Sequence, residues 1–141
     1  MCIEFQTKGN SIGEGIAKGI NEAIDIAEKD GWNGIVIGNN DKQFSVGANL
    51  MNMGMMAMQK NFEEIEKFLV GFQKILMRMR TCNVPVVSAT HGFVLGGGLE
   101  VSIHCDAGIH ASESYIGLVE AGVGLIPGGG GTKEMAMRLS L

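Results

Sequence analysis

The sequence predicts an α/β fold with largely parallel strands, and three observations predict it. Strand-like segments and helix-like segments alternate along the chain, the order that builds parallel sheets. The 141 residues are 45% hydrophobic and 18% charged, enough for one domain with a real core and the wrong balance for a disordered chain. Three consecutive glycines, Gly96 to Gly98, stand where a strand hands over to a helix. Glycine inside a helix costs roughly 1 kcal/mol relative to alanine, so a triplet there needs a reason.

The elements follow in order. CIEFQT (residues 2–7) alternates, with Ile3 and Phe5 on one face, and reads as a strand. Residues 10–31 turn helical. Ser11 and Glu14 form a capping box, Ile12, Ile16, Ile20, Ile24 and Ala27 one apolar face, and Gly31 the C-terminal stop. Glu14–Lys18 and Asp25–Lys29 are spaced to pair on the wet side. GIVIG (34–38) is a short apolar strand, and 39–50 a loop. A helical stripe runs through Phe62, Ile65, Phe68, Leu69, Phe72, Ile75, Leu76 and Met79, with Lys74, Arg78 and Arg80 placed to complement its C-terminal dipole. Pro85 starts the strand PVVSA, and the glycine triplet opens a helix carrying Leu99 to Cys105. AGIHA (107–111) and SYIG (114–117) are short strands. IPGGGGT (126–132) is a turn, and Thr132 is placed to cap a last helix running to Leu141. There is no sequence repeat and no linker, so residues 1–141 read as one domain, and both ends look cut.

Composition excludes several classes. The net charge is −4, with one Trp, one Tyr and no basic stripe, which argues against nucleic acid. No apolar run approaches the ~20 residues that cross a bilayer, and the N-terminus lacks a signal-peptide pattern. Cys2, Cys82 and Cys105 are odd in number and widely spaced, which fits reduced thiols in a cytoplasmic protein. His91, His104 and His110 do not sit at metal-ligand spacing, so no metal site is expected, and Asp106 reads as a helix stop without a catalytic role.

A glycine-rich turn ahead of a helix brings backbone N–H groups close to a ligand, and the helix N-terminus adds partial positive charge. Such a place suits a phosphate or an oxyanion. The phosphate motifs fit poorly: GGGGTK has Thr and Lys reversed against a P-loop, and the triplet lacks the spacing and position of a dinucleotide fingerprint. The oxyanion alternative needs a second donor loop and an acid or base. FSVGAN (44–49) offers the loop; Glu100 and Glu120 lie in apolar, glycine-rich settings where burial raises carboxyl pKa values. The plain alternative is that Glu100 favours its helix N-terminus and Glu120 is a solvated turn residue.

FSVGANL, HGFVLGGGLEVSIHCD and GLVEAGVGLIPGGGGT, in this order and with Glu100 and Glu120 twenty positions apart, resemble the crotonase (enoyl-CoA hydratase/isomerase) family. They look most like the hydratase-type domain of some 3-hydroxyacyl-CoA dehydrogenases. The resemblance implies a ClpP/crotonase fold of repeated ββα units, truncated at both ends, so that residues 1–141 are a single partial domain. It implies water addition to a 2-enoyl-CoA to give a 3-hydroxyacyl-CoA, within fatty-acid β-oxidation or related acyl-CoA degradation. By the same resemblance the Ala48 and Gly97 N–H groups form the oxyanion hole and Glu100 and Glu120 are catalytic. Phe44, Val46, Gly47, Gly96 and Gly98 line the substrate. No covalently bound cofactor or metal is implied; coenzyme A enters as part of the substrate. The partners are the acyl-CoA and further copies of the chain, since the family is trimer-based. The alternatives are an enoyl-CoA isomerase of the same fold, or a catalytically impaired acyl-CoA-binding or assembly fragment.

The sequence departs from the family pattern in three places. Asn49 stands where Asp is common, which leaves a backbone donor untouched. Leu118-Val119 replaces a segment that often carries proline ahead of the second glutamate. The chain covers about half of a crotonase-type domain. The methionine-rich run 50–60 reads either as an adaptable wall of an acyl pocket or as adaptable core.

Overall fold

The computed structural model describes residues 1–140. The elements are β1 (Cys2–Ile3), α1 (Glu14–Lys29), β2 (Ile35–Gly38), α2 (Leu50–Met58), α3 (Phe62–Thr81), β3 (Val86–Thr90), β4 (Phe93–Leu95), α4 (Gly97–His104), β5 (Ala107–His110), β6 (Tyr115–Gly117) and α5 (Gly131–Leu139), with single 3-10 turns at Lys8–Asn10 and Glu120–Val123. Four strands form one sheet in the order β1-β2-β3-β5, every pair parallel. β4 and β6 form a second parallel pair, which Ser45 extends by a bridge to Val94.

These two layers make ββα units. Each of β2, β3 and β5 sends the chain to a second extended segment (around Ser45, β4 and β6) and then to helix. The first strands of the units begin at Cys2, Ile35, Val86 and Ala107, so the structural repeat has no constant period and leaves no sequence repeat. β4 is three residues long and its exposed Phe93 masks the alternation, which is why sequence periodicity passes over it.

The core lies on one face of the main sheet. Ile35, Ile37 and Val86 point into it, as do Ile20, Ile24 and Ala27 of α1 and Phe72, Ile75, Leu76 and Met79 of α3. Only the C-terminal half of the predicted α3 stripe is buried: Phe62 is 64% exposed. The polar atoms on this face are paired, as in the buried Ser88–Ser102 hydroxyl contact of 2.8 Å between β3 and α4.

Several local expectations are corrected. Helix α1 starts at Glu14 behind Gly13, with no side-chain cap. Ser11 and Ile12 are extended, because Ile12 bridges to Ala48 and buries its side chain there. Tertiary pairing outcompetes the local capping box. Asp25 pairs with Arg78 of α3 rather than Lys29, and Lys18 pairs with Glu22 rather than Glu14. Thr132 lies inside α5; the residue before the helix is Gly130, at φ 101°, and its side chain offers nothing to cap. Leu141 lies outside the described residues. Gly31 does end α1, at φ 69°, and the Trp32 N–H closes the turn on the Ala27 carbonyl. Gly31→Ala is expected to cost about 1 kcal/mol, because a Cβ is strained in this region even in open space. Urea unfolding measures it.

Candidate active site

The loop from Gln43 to Asn49 is held from below by three buried polar residues. The Asn39 side chain accepts the Phe5 N–H and donates to the Phe44 carbonyl. Asn10 donates to the Gln43 carbonyl, and its own carbonyl accepts the Ser45 hydroxyl at 2.7 Å. The Ser45 oxygen in turn accepts the Gly47 N–H at 3.1 Å. The chain can then turn through Gly47 at φ 91°, where an added Cβ would stand 2.8 Å from the Leu95 carbonyl oxygen.

The glycine triplet meets this loop. Gly98 lies so close to Ser45 that a Cβ would come within 2.7 Å of it. A Cβ on Gly47 would stand 3.2 Å from the Gly97 nitrogen, and one on Gly97 would stand 3.5 Å from the Ala48 nitrogen. Ala48 and Gly97 are thus backbone neighbours. Among the described residues neither N–H is spent on a protein acceptor. Gly97 is the first residue of α4, so its free N–H belongs to the positive end of a helix dipole.

Two carboxylates adjoin this pair. Glu100 is carried in on the first turn of α4 and is 2% exposed. Its Oε1 accepts the Gly131 N–H at 2.8 Å, at the head of α5. Burial pushes its carboxyl above the ordinary carboxylate range; the Gly131 hydrogen bond opposes this, and the charge of Glu120 adds to it. Glu120 opens the 3-10 turn after β6. Its Oε1 would lie 3.0 Å from a Cβ on Gly96, so the missing side chain at Gly96, at φ 51°, lets this carboxylate approach the triplet. Its buried Oε2 has no hydrogen-bond partner among the described residues. The arrangement therefore holds unspent donors and an unspent carboxylate oxygen beside a second carboxyl with raised proton affinity.

The remaining predicted substrate contacts divide. Val46 is 40% exposed, and Gly47 and Gly96 shape the backbone. The Phe44 side chain is fully buried and packs on Phe5, with ring centroids 6.1 Å apart, so it anchors the loop. Gly98 is likewise a packing position against Ser45. The methionine-rich run is helical as α2. Met53, Met55 and Met56 line a cleft of about 430 Å³ with Phe68, Ile12 and Asn49, the residue after Ala48.

The histidines are each engaged: His91 with the Asp41 carbonyl, His110 with the Thr90 hydroxyl, His104 with the Glu100 carbonyl. Burial pushes the Cys105 thiol up to about 12, so it stays an unreactive thiol. Asp106 accepts the Val86 N–H and fastens the end of α4 to β3. Sequence reasoning missed the supports. Asn39 and Asn10 stand outside the quoted motifs, and the parts of Ser45 and Gly131 depend on Asn10 and Glu100, which are distant in sequence.

Glu134 is a buried carboxylate that reading the sequence also missed. The Arg80 guanidinium holds its carboxyl well below the usual carboxylate range, with Lys133 and Arg138 adding to the effect. Such a group contributes stability that is present above its unfolded value of 4.5 and lost as pH falls through its lower folded value. His104, lowered by burial, has the same sign below 6.5, while the raised Glu100 has the opposite sign above 4.5. Below pH 4.5 the Glu134 contribution stands out. Stability in urea is expected to decline there with falling pH, and the decline is expected to flatten in Glu134→Gln.

Comparison with known proteins gives the family. The model for the enoyl-CoA hydratase/isomerase family matches residues 1–140. A Bacillus subtilis protein named "Probable 3-hydroxyacyl-CoA dehydrogenase" is 44% identical over 133 residues, 94% of this chain and 17% of that protein. A Clostridium acetobutylicum short-chain-enoyl-CoA hydratase is 36% identical over 102 residues, 72% of this chain and 38% of that one. Among solved structures, an enoyl-CoA hydratase from Polaromonas sp. JS666 superposes with a TM-score of 0.92 at 25% identity, over 96% of this chain and 54% of that one. The chain thus spans about half the length of that solved structure, and less than a fifth of the Bacillus protein.

Proposed function

Because the chain belongs to the enoyl-CoA hydratase/isomerase family, we propose that its site hydrates a 2-enoyl-CoA thioester to a 3-hydroxyacyl-CoA. The observation that carries the reading is the meeting of two unspent N–H groups, Ala48 and Gly97, beside two carboxyl groups, Glu100 and Glu120. Adding water to a conjugated thioester builds enolate charge on the thioester oxygen. Two preorganised donors stabilise it, each contributing about 3 kcal/mol by analogy with other oxyanion holes. Glu100 and Glu120 hold one water over the double bond. One takes the proton of the oxygen attacking C3, and the other delivers a proton to C2. The raised proton affinity of Glu100 suits a pair that shares one proton.

In this reading the α2 methionines form the adaptable wall of the acyl pocket. In the same reading the chain is the hydratase part of a 3-hydroxyacyl-CoA dehydrogenase polypeptide, which the name of the Bacillus relative supports, and it works in the cytoplasm, in fatty-acid oxidation, as a homo-oligomer.

One observation favours a second reading. Glu100 is tied to Gly131, while Glu120 keeps an unpartnered oxygen, and a single such carboxylate suffices to move a proton between C4 and C2. That would be an enoyl-CoA isomerase.

The test is turnover of crotonyl-CoA and of a 3-enoyl-CoA, followed by the conjugated-thioester absorbance, with Glu100→Gln and Glu120→Gln alongside. Hydration that falls about 10²-fold or more in both variants supports the hydratase. Isomerisation lost only in Glu120→Gln supports the isomerase. A folded chain that binds acyl-CoA without turnover is the outcome for an impaired binding or assembly fragment.

A further inference from the structure

We propose that Glu134 is a positioning residue for Glu100, clamping the head of α5 against α4 so that the Gly131 N–H stays on the Glu100 carboxylate. The functional meaning of this clamp rests on the acid–base reading of Glu100; its geometry does not. Glu134 lies in the first turn of α5, one turn from Gly131, and its side chain is 3% exposed. Arg80 reaches it from α3 with both terminal nitrogens, at 2.7 and 2.7 Å, a fork-to-fork pairing that fixes direction as well as distance. Arg138 binds it at 2.8 Å and Lys133 at 2.9 Å, both from α5.

The same two arginines also grip α4. Arg80 and Arg138 each donate to the Ile103 carbonyl, at 3.2 and 2.8 Å, in the last turn of the helix that carries Glu100. His104 hydrogen-bonds Glu100 and makes no hydrogen bond to Glu134. Its Nε2 lies 3.8 Å from Glu134 Oε1, and its Nδ1 is 2.7 Å from the Glu100 backbone oxygen. Glu100 is therefore held at its side chain by the α5 backbone, whose position leads back to Glu134, and at its carbonyl by His104.

A buried carboxylate held by the backbone of Gly131, with Gly129 beside it, is sensitive to the position of the α5 head, since a weakened donor leaves a desolvated charge less compensated. An apolar residue at 134 would fill space at a lower desolvation cost. It would leave Arg80 and Arg138 without the anion that aims them at Ile103. The burial of a charge here is explained by what it orients.

The experiment is a pH titration of the Gly131 amide proton by nitrogen-edited NMR, which reads the hydrogen bond without reading turnover. In the unsubstituted chain this resonance is expected to move as Glu100 ionises. Glu100→Gln removes that movement and separates it from the nearby titrations of His104, Lys133 and Glu120. In Glu134→Gln, shown folded by circular dichroism, the displacement is expected to fall below half, whereas a merely structural role for Glu134 lowers the unfolding midpoint and leaves the displacement intact. A full displacement in folded Glu134→Gln overturns the proposal, and so does a displacement that survives Glu100→Gln. Should Glu134→Gln not fold, Arg138→Gln takes its place; its side chain is about half exposed, and it loses one grip on Glu134 and one on Ile103. A reduced displacement there supports the clamp and an unchanged one overturns it. Absence of hydratase turnover would count against the proposed function alone.

Discussion

Gly97→Pro is expected to fold like the unsubstituted chain and to lose about 10²- to 10³-fold in turnover of a 2-enoyl-CoA. Proline is well tolerated at the first residue of a helix, where its fixed φ matches and its missing N–H has no intrahelical partner. Gly97 holds that position in α4, and it is not among the glycines with positive φ. Gly96, which precedes it, already occupies a conformation at φ 51° and ψ −123° that its lack of a side chain permits. The substitution thus removes one of the two unspent donors and puts ring carbons in its place. Gly97→Ala is the control. Its Cβ would meet Ala48, Ile12 and Phe72 only at 3.5 to 3.6 Å, ordinary contact distances, and the N–H remains. Steady-state rates on crotonyl-CoA with a circular dichroism spectrum of each variant decide it. Full activity in a folded Gly97→Pro protein would remove Gly97 from the oxyanion hole.

Phe72→Ala is expected to cost about 3–5 kcal/mol of stability, the usual penalty for deleting a buried aromatic ring. Phe72 is 5% exposed and stacks on Phe68 at 6.3 Å between centroids. Its ring also lies beneath both glycine runs: a Cβ on Gly97 would stand 3.6 Å from it and one on Gly129 2.6 Å. The loss therefore falls where α3 supports the heads of α4 and α5 together. Phe62→Ala, at the exposed end of the same apolar stripe, is expected to change stability by less than about 0.5 kcal/mol. Urea unfolding of the two variants reads the difference. Equal effects would mean that the stripe is buried along its whole length.

That contrast shows what the sequence makes legible. Helical spacing identifies the α3 stripe from Phe62 to Met79, yet spacing alone cannot say that its first turns face outward, because burial depends on what other elements cover. The alternation of strand and helix gives the parallel α/β class, and the glycine triplet gives the start of α4, because each follows from local chemistry. The capping roles of Ser11 and Thr132 fail for the opposite reason. A local hydrogen bond of about 1 kcal/mol yields to long-range pairing at Ile12 and to the Gly130 turn. At the site, Glu100 and Glu120 are visible as carboxyl groups in apolar surroundings. The tether of Glu100 to Gly131 and the burial of Phe44 are not, since both depend on segments that meet only in three dimensions.

The register of the main sheet has a kinetic consequence. Cys2 pairs with Val36, Ile35 with Val86 and Val87 with Ala107, so no strand of that sheet has a neighbour reached by a tight turn. Each pairing must close a long loop before any hydrogen bond repays it, which places folding toward the slow end for a domain of this size, roughly milliseconds to seconds. The helices form within microseconds by comparison. During synthesis β2 emerges long before β3 exists to cover its edge. The nascent chain therefore passes through a period with apolar strand edges open, and refolding yield should fall with protein concentration more steeply than final stability alone would imply.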